Sequence, residues 1–243
     1  MQKLPANIIA NADDLGLNSS VNSAILHCYQ QGYINSTSLL TNTSVFEATA
    51  HLIHQNPCIT NIGVHINLAE GSPVTTFKQL RYLDANGCWN IDQTNKKLSI
   101  ISTADKEAFE KEISAQIDKA IAAKIPITHL DSHYHLHTLP CFFNLFIQAA
   151  RHYGLKLRLA QTYNEGSFLK FTYRQYINRL FKKNNIAYTE YFESVDHFLQ
   201  NPINTGPTEV MLHPDFDLNG KLTDHYDAAT MTKWINFAGK TTQ

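Results

Sequence analysis

Residues 7–16, NIIANADDLG, run from an apolar, strand-like stretch over Asn7–Ala10 directly into two adjacent carboxylates and a glycine. A short apolar run ending in Asp13, Asp14 and Gly16 puts acidic side chains where a parallel sheet presents its ligand-facing loops, at the carboxyl ends of its strands. The segments that follow fix the class of sheet. Val21–Gln31 carries Val21, Ile25 and Cys28 at the spacing of one helix face and stops at Gly32. Ser36–Leu40 reads as a second strand, Phe46–Gln55 as a second helix, and Ile62–Leu68 as a third, alternating strand. The order is βαβαβ, and strand–helix repetition of this kind implies a mainly parallel sheet.

Further along, Gly71–Leu98 loses periodicity and carries Pro73, Asn86 and Gly87, which predicts a long excursion over the mouth of the sheet. The alternation then resumes with a helix over Ala104–Ala123, a strand over Thr128–Asp131, a helix over Cys141–Tyr153 and a strand over Lys156–Leu159. Helices are expected over Phe168–Lys183, Tyr191–Leu199 and Ala228–Phe237, with a last strand at Glu209–Leu212. The fold class is therefore α/β, with the sheet either closed as a barrel or open and doubly wound. No repeat, low-complexity tract or linker interrupts the chain, so one domain over residues 1–243 is expected.

Composition narrows the partners. With 43% hydrophobic residues in 243, the chain can bury a full core, and a formal charge of -1 gives no broad basic face for nucleic acid or an anionic membrane. No stretch approaches the roughly 20 apolar residues of a membrane span, and the N-terminus lacks an apolar leader core. A cytoplasmic protein acting on a small ligand is expected; a homodimer is compatible with the sequence. Cys28, Cys58, Cys88 and Cys141 lie far apart without a CxxC pair, so neither a disulfide framework nor a cysteine metal site is indicated.

The chemistry-bearing residues gather at the predicted strand ends. In NADDLG one carboxylate can ligate a cation while its neighbour holds a proton, because successive side chains point different ways; a turn or helix cap is the bland alternative. In GVHINL, His65 and Asn67 share one face of a strand. In THLDSHYHLH, four histidines and an aspartate crowd residues 129–137, and an extended backbone would set His129, Asp131, His133, His135 and His137 on one face. They cannot all bind one ion, so some must orient ligands or meet substrate. In EVMLHPDFD, Pro214 fixes His213 at a strand end, where it can donate a proton to a leaving group. Arg158 lies within a short apolar strand, where an arginine needs a carboxylate or an anionic ligand. No GxGxxG or GxxxxGK[ST] follows a strand, which leaves nucleotide binding without support.

Taken together, NADDLG, GVHINL, THLDSHYHLH and MLHPDF resemble, in order and spacing over nearly the whole chain, the YdjC-like carbohydrate deacetylases, a family that includes chitooligosaccharide deacetylase. The resemblance implies a deformed (β/α) barrel related to polysaccharide deacetylases. It also implies one divalent metal held by Asp14, His65 and His133, with Asp13 as base and His213 as acid. Relatives are described with magnesium, whereas two imidazoles and one carboxylate suit zinc, cobalt, nickel or manganese. Asp131, Tyr134, His135, His137 and Arg158 are then candidates for orienting ligands or meeting substrate. Tyr134 departs from relatives that carry another histidine there, and the segment after Asp217 is shorter than the family's usual C-terminal part. The expected activity is metal-dependent removal of an acetyl group from an amino sugar or short oligosaccharide. A deacylase of a lipid-linked sugar, a metal-dependent phosphoesterase and a catalytically silent sugar- or metal-binding module use similar residues and remain alternatives.

Overall fold

A computed structural model describes residues 4–97, 100–202 and 205–240. Seven parallel strands form one curled sheet in the order β5-β4-β3-β2-β1-β7-β6. They are β1 (Ile8–Leu15), β2 (Ser36–Leu39), β3 (Ile62–Ile66), β4 (Ile127–Ser132), β5 (Lys156–Leu157), β6 (Tyr191–Ser194) and β7 (Thr208–Leu212). Read cyclically this is chain order, so the sheet is a deformed (β/α) barrel whose seam lies between β5 and β6. No ladder joins those two strands among the described residues. The seam is bridged by single bonds instead: Leu157 N–H donates to Ile186, Tyr188 N–H to Leu157, and Thr162 N–H to Phe192.

Helices α1 (Ser19–Gln31), α2 (Phe46–Gln55), α3 (Ile91–Thr94), α4 (Thr103–Ala122), α5 (Phe143–Tyr153), α6 (Phe168–Lys183) and α7 (Val195–Gln200) connect the strands, and α8 (Ala228–Lys240) follows the last of them. Local chemistry sets their limits. Asn18 caps α1 by accepting from Ser20 and Val21 N–H, and Gly32, at φ +73°, ends it with a left-handed turn. Ser102 and Asp105 form a capping box on α4. Two apolar clusters lie between sheet and helices, one centred on Phe109, Phe146 and Leu130, the other on Trp234, Ile25 and Val210. The barrel interior, by contrast, is polar: Asn11 donates to Ser38 and Asp13, Ser36 donates to Asn11, and Ser38 donates to Asp131. None of the helices among the described residues is long and apolar enough to cross a membrane.

Two expectations change, and one element is added. Tyr191–Leu199 is not one helix: Tyr191–Ser194 pairs with β7 as a strand, and Ser194 then caps α7 by accepting from His197 N–H. The Gly71–Leu98 excursion, whose Leu98 lies outside the described residues, is anchored sideways. Phe77, Tyr82 and Trp89 pack their rings on Phe109 of α4, and the Glu112 carboxylate of α4 accepts from Val74 and Thr75. Burial of three aromatic rings holds the excursion, which includes a short helical turn at Leu80–Tyr82 and α3, against α4, and the neighbouring Glu70 reaches Tyr134 and His133. The chain after β7 folds back as a hairpin of β8 (Pro214–Phe216) and β9 (Leu222–Asp224), for which Asn219–Gly220 is the turn signal in the sequence.

Candidate active site

The carboxyl end of β1 separates the two adjacent aspartates. Register between β1 and β2 shifts between Ala12 and Leu15, and Asp14 takes a left-handed φ of +70°. A bulge of this kind re-aims a side chain. Gly16 completes the turn: at φ +91° it lies so close to the Leu40 carbonyl that a Cβ would stand 2.9 Å away, while its N–H donates to Asn22. Asp13 consequently faces the barrel interior and Asp14 the imidazoles at the mouth.

Asp14 Oδ1 lies 2.9 Å from His133 Nδ1 and 3.3 Å from His65 Nε2, and Oδ2 lies 3.3 Å from His225 Nε2. Burial alone would raise the Asp14 carboxyl, yet His133, His225 and His65 hold it well below the usual range. His65 and Asp131 are direct neighbours in the β3–β4 register, and His65 Nδ1 contacts Asp131 Oδ1 at 2.8 Å, leaving Nε2 for Asp14. Burial opposes a charged His65, but Asp131 and Asp14 raise its pKa to about 10.

Beside this cluster, Arg158 is fully buried and collects three carboxylates. Its Nη1 and Nη2 donate to the two oxygens of Asp13 at 2.6 Å each, Nη1 also reaches Asp131 at 2.8 Å, and Nε donates to Glu209 at 2.7 Å. Bidentate pairing fixes the plane of the Asp13 carboxylate. Burial would raise Asp13, but the Arg158 guanidinium keeps it below the usual range. Three acids around one cation exceed what the site neutralises, and burial pushes Glu209 up to about 7. On the far side of Asp13, His213 Nε2 stands 4.0 Å from Oδ2, and Asp224 accepts the His213 backbone N–H at 2.8 Å.

The histidine run behaves differently from an extended strand. β4 ends at Ser132, and His133–Thr138 forms a tight helical turn with Tyr134 and His135 at φ +54° and +55°, so the five alternating side chains do not share a face. His133 turns to Asp14, while His137 is buried and bonded through Nδ1 to the Ser132 hydroxyl. Burial depresses His135 to about 3 and His137 well below its ordinary value, so both are neutral at pH 7. Tyr134 is 44% exposed and donates to Glu70, whose carboxylate also lies 3.8 Å from His133.

His129 points away from Asp14: it is buried, stacked on Tyr188 at 4.2 Å, and lies over Gly63, where a side chain would strike its ring. Burial lowers it to about 4 from an ordinary value of 6.5. The native state thus binds fewer protons here than the unfolded chain, and the stability this group contributes is complete above pH 6.5 and lost as pH falls toward 4. Between pH 7.5 and pH 5 the loss is about 2 kcal/mol. Denaturant unfolding at both pH values should show a smaller acid loss for His129→Gln than for the wild type; equal losses would assign the acid sensitivity elsewhere.

Glu70, Glu209, Asp224, His225 and Tyr226 were not singled out from sequence, and the structure brings all five to this site. Glu209 alone carried a signal, a carboxylate inside an apolar strand that needs a buried partner such as Arg158.

The residues fit a single cation. Ligand atoms of Asp14, His65 and His133 all lie within 4.8 Å of one another, and both oxygens of the buried Asp14 lack a conventional hydrogen bond. A second acidic group, Asp13, His65 and Asp131, meets the same distance criterion, but Arg158 already bonds both of its carboxylates and takes the cationic place there.

Fold and site together define an α/β barrel with an imidazole–carboxylate centre and an arginine-held acid at its strand ends. Within that class, a family profile described as YdjC-like protein matches residues 7–236, and the chain belongs to this family. It is 31% identical over 223 residues to a chitooligosaccharide deacetylase of Yersinia enterocolitica, covering 89% of this chain and 83% of that one. It is also 31% identical over 211 residues to carbohydrate deacetylase 1 of Listeria innocua, covering 86% and 81%. A crystal structure from Enterococcus faecalis, described as a candidate cellobiose-phosphate cleavage protein, superposes with a TM-score of 0.75 at 20% identity, over 95% of this chain and 90% of that one. That likeness concerns the fold.

Proposed function

We propose that this chain is a metal-dependent deacetylase that hydrolyses the N-acetyl group of an amino sugar or short oligosaccharide. The observation that carries the reading is the division of the Asp13–Asp14 pair: one carboxylate faces imidazoles in a cation-sized cluster, the other is held by Arg158 and looks toward His213. The names of the relatives, carbohydrate and chitooligosaccharide deacetylase, supply the substrate class. A two-metal phosphoesterase fits less well, because Arg158 stands where a second ion would go.

Asp14, His65 and His133 would hold the ion, which when bound polarises the acyl carbonyl and acidifies a water. Asp13 removes a proton from the attacking water; its Oδ2, with one lone pair on Arg158, keeps another toward the His213 side. Arg158 keeps Asp13 ionised and fixed. As the carbon–nitrogen bond breaks, His213 delivers a proton to the sugar nitrogen, so that acetate and a free amine result. Tyr134 and Tyr226, exposed by 44% and 57% at the mouth, supply rings for the apolar face of a sugar.

An amine leaves poorly unless protonated, whereas an activated aryl acetate departs unaided. His213→Ala should therefore slow N-acetyl sugar turnover about a hundred- to ten-thousand-fold and aryl acetate turnover much less. Both rates would be measured on protein with verified metal content. Equal losses on the two substrates would remove His213 from the acid role.

A further inference from the structure

We infer that His225, delivered by the β8–β9 hairpin, is a positioning residue for Asp14. It would fix that carboxylate through Oδ2 so that Oδ1 is presented to the ion together with His65 and His133. The inference rests on the metal-dependent reading above and adds a residue to it. Three observations point the same way. His225 Nε2 stands 3.3 Å from Asp14 Oδ2, whereas His65 and His133 both address Oδ1. The two faces of one carboxylate thus meet different imidazoles. His225 does not join the compact group formed by Asp14, His65 and His133, and it addresses the Asp14 oxygen that the other two imidazoles do not. Its backbone is pinned while its ring is free of other polar ties: His225 N–H donates to the His213 carbonyl at 3.1 Å, Asp224 ties the hairpin through His213, Tyr226 and Asp227 N–H groups, and Nδ1 is buried without a partner.

The chemistry requires such a group. A carboxylate that ligates through one oxygen needs a donor at the other to stop rotation, and the usual consequence of deleting a donor behind a ligand is a 10- to 100-fold loss of metal affinity. A neutral imidazole with its proton on Nε2 serves. The hairpin also makes the arrangement cooperative: the turn that seats His213 beside Asp13 seats His225 behind Asp14.

The test is a competition titration of chelated protein with Zn2+ and, for its visible absorption, Co2+. One bound ion per chain is expected in the wild type, His225→Ala and His225→Gln alike. His225→Ala should bind Zn2+ about 10- to 100-fold more weakly. His225→Gln, whose amide can donate to Oδ2, should recover most of that loss and leave the Co2+ absorption band unchanged. Far-UV circular dichroism and melting of the metal-free proteins would check that both variants are folded. Wild-type affinity in His225→Ala would overturn the inference alone, as would a Co2+ band displaced in His225→Gln, since that is the mark of a direct ligand. Failure of the wild type itself to bind either ion would overturn the metal-dependent reading as well.

Discussion

An Asp13→Asn protein is expected to hold its divalent ion at wild-type stoichiometry and to release acetate about a hundred- to ten-thousand-fold more slowly, the usual worth of a general base. The substitution is close to isosteric, and the amide oxygen can still accept from Arg158, which keeps Asp131 and Glu209 as charged or polar partners. Three carboxylates share one buried guanidinium, so neutralising one of them leaves the cluster more nearly balanced, and folding should survive. Arg158→Met is the contrasting change: it strands Asp13, Asp131 and Glu209 without a cation, and loss of one partner from a buried pair costs about 3–5 kcal/mol. Elemental analysis, acetate release and melting of the two variants separate chemistry from stability. An active Asp13→Asn enzyme would strip Asp13 of its role as base.

The second large effect concerns the proposed ligands. Alanine in place of Asp14, His65 or His133 should reduce metal content after dialysis from one ion per chain to near none and abolish turnover, because each supplies one donor of a three-residue cluster. Asp131→Asn should behave more mildly. It leaves the ligands in place but weakens the contact that aims His65 Nε2 at Asp14, and a 10- to 100-fold loss of affinity is the expected size. Unchanged stoichiometry in all three alanine variants would place the ion elsewhere.

Much of this was legible because strand ends in a parallel sheet are marked by polar residues that interrupt apolar runs. Asp13, Asp14, His65, Asp131 and His213 each follow or break such a run, and their convergence at one mouth follows from the strand order. What local patterns did not carry was backbone direction. The divergence of Asp13 from Asp14 depends on a bulge and a left-handed residue, and the histidine run, which only an extended backbone would set on one face, is turned sharply at Tyr134 and His135. Phe192, Val195, Phe198 and Leu199 have helical spacing, yet the first of them belongs to β6, because pairing with β7 outweighs local periodicity. His225 sits alone between Asp224 and Tyr226 and gains its place only through a hairpin contact twelve residues back, which no periodicity encodes.

Acetate release from a panel of N-acetylated sugars, measured on chelated protein with each divalent ion added back in turn, decides whether the cluster at β1, β3 and β4 is a hydrolytic metal centre. Chelated protein should be silent, and activity should return in proportion to occupancy and saturate at one ion per chain. Acetate release at full rate from metal-free protein, or release of phosphate from sugar phosphates with no release of acetate, would contradict it.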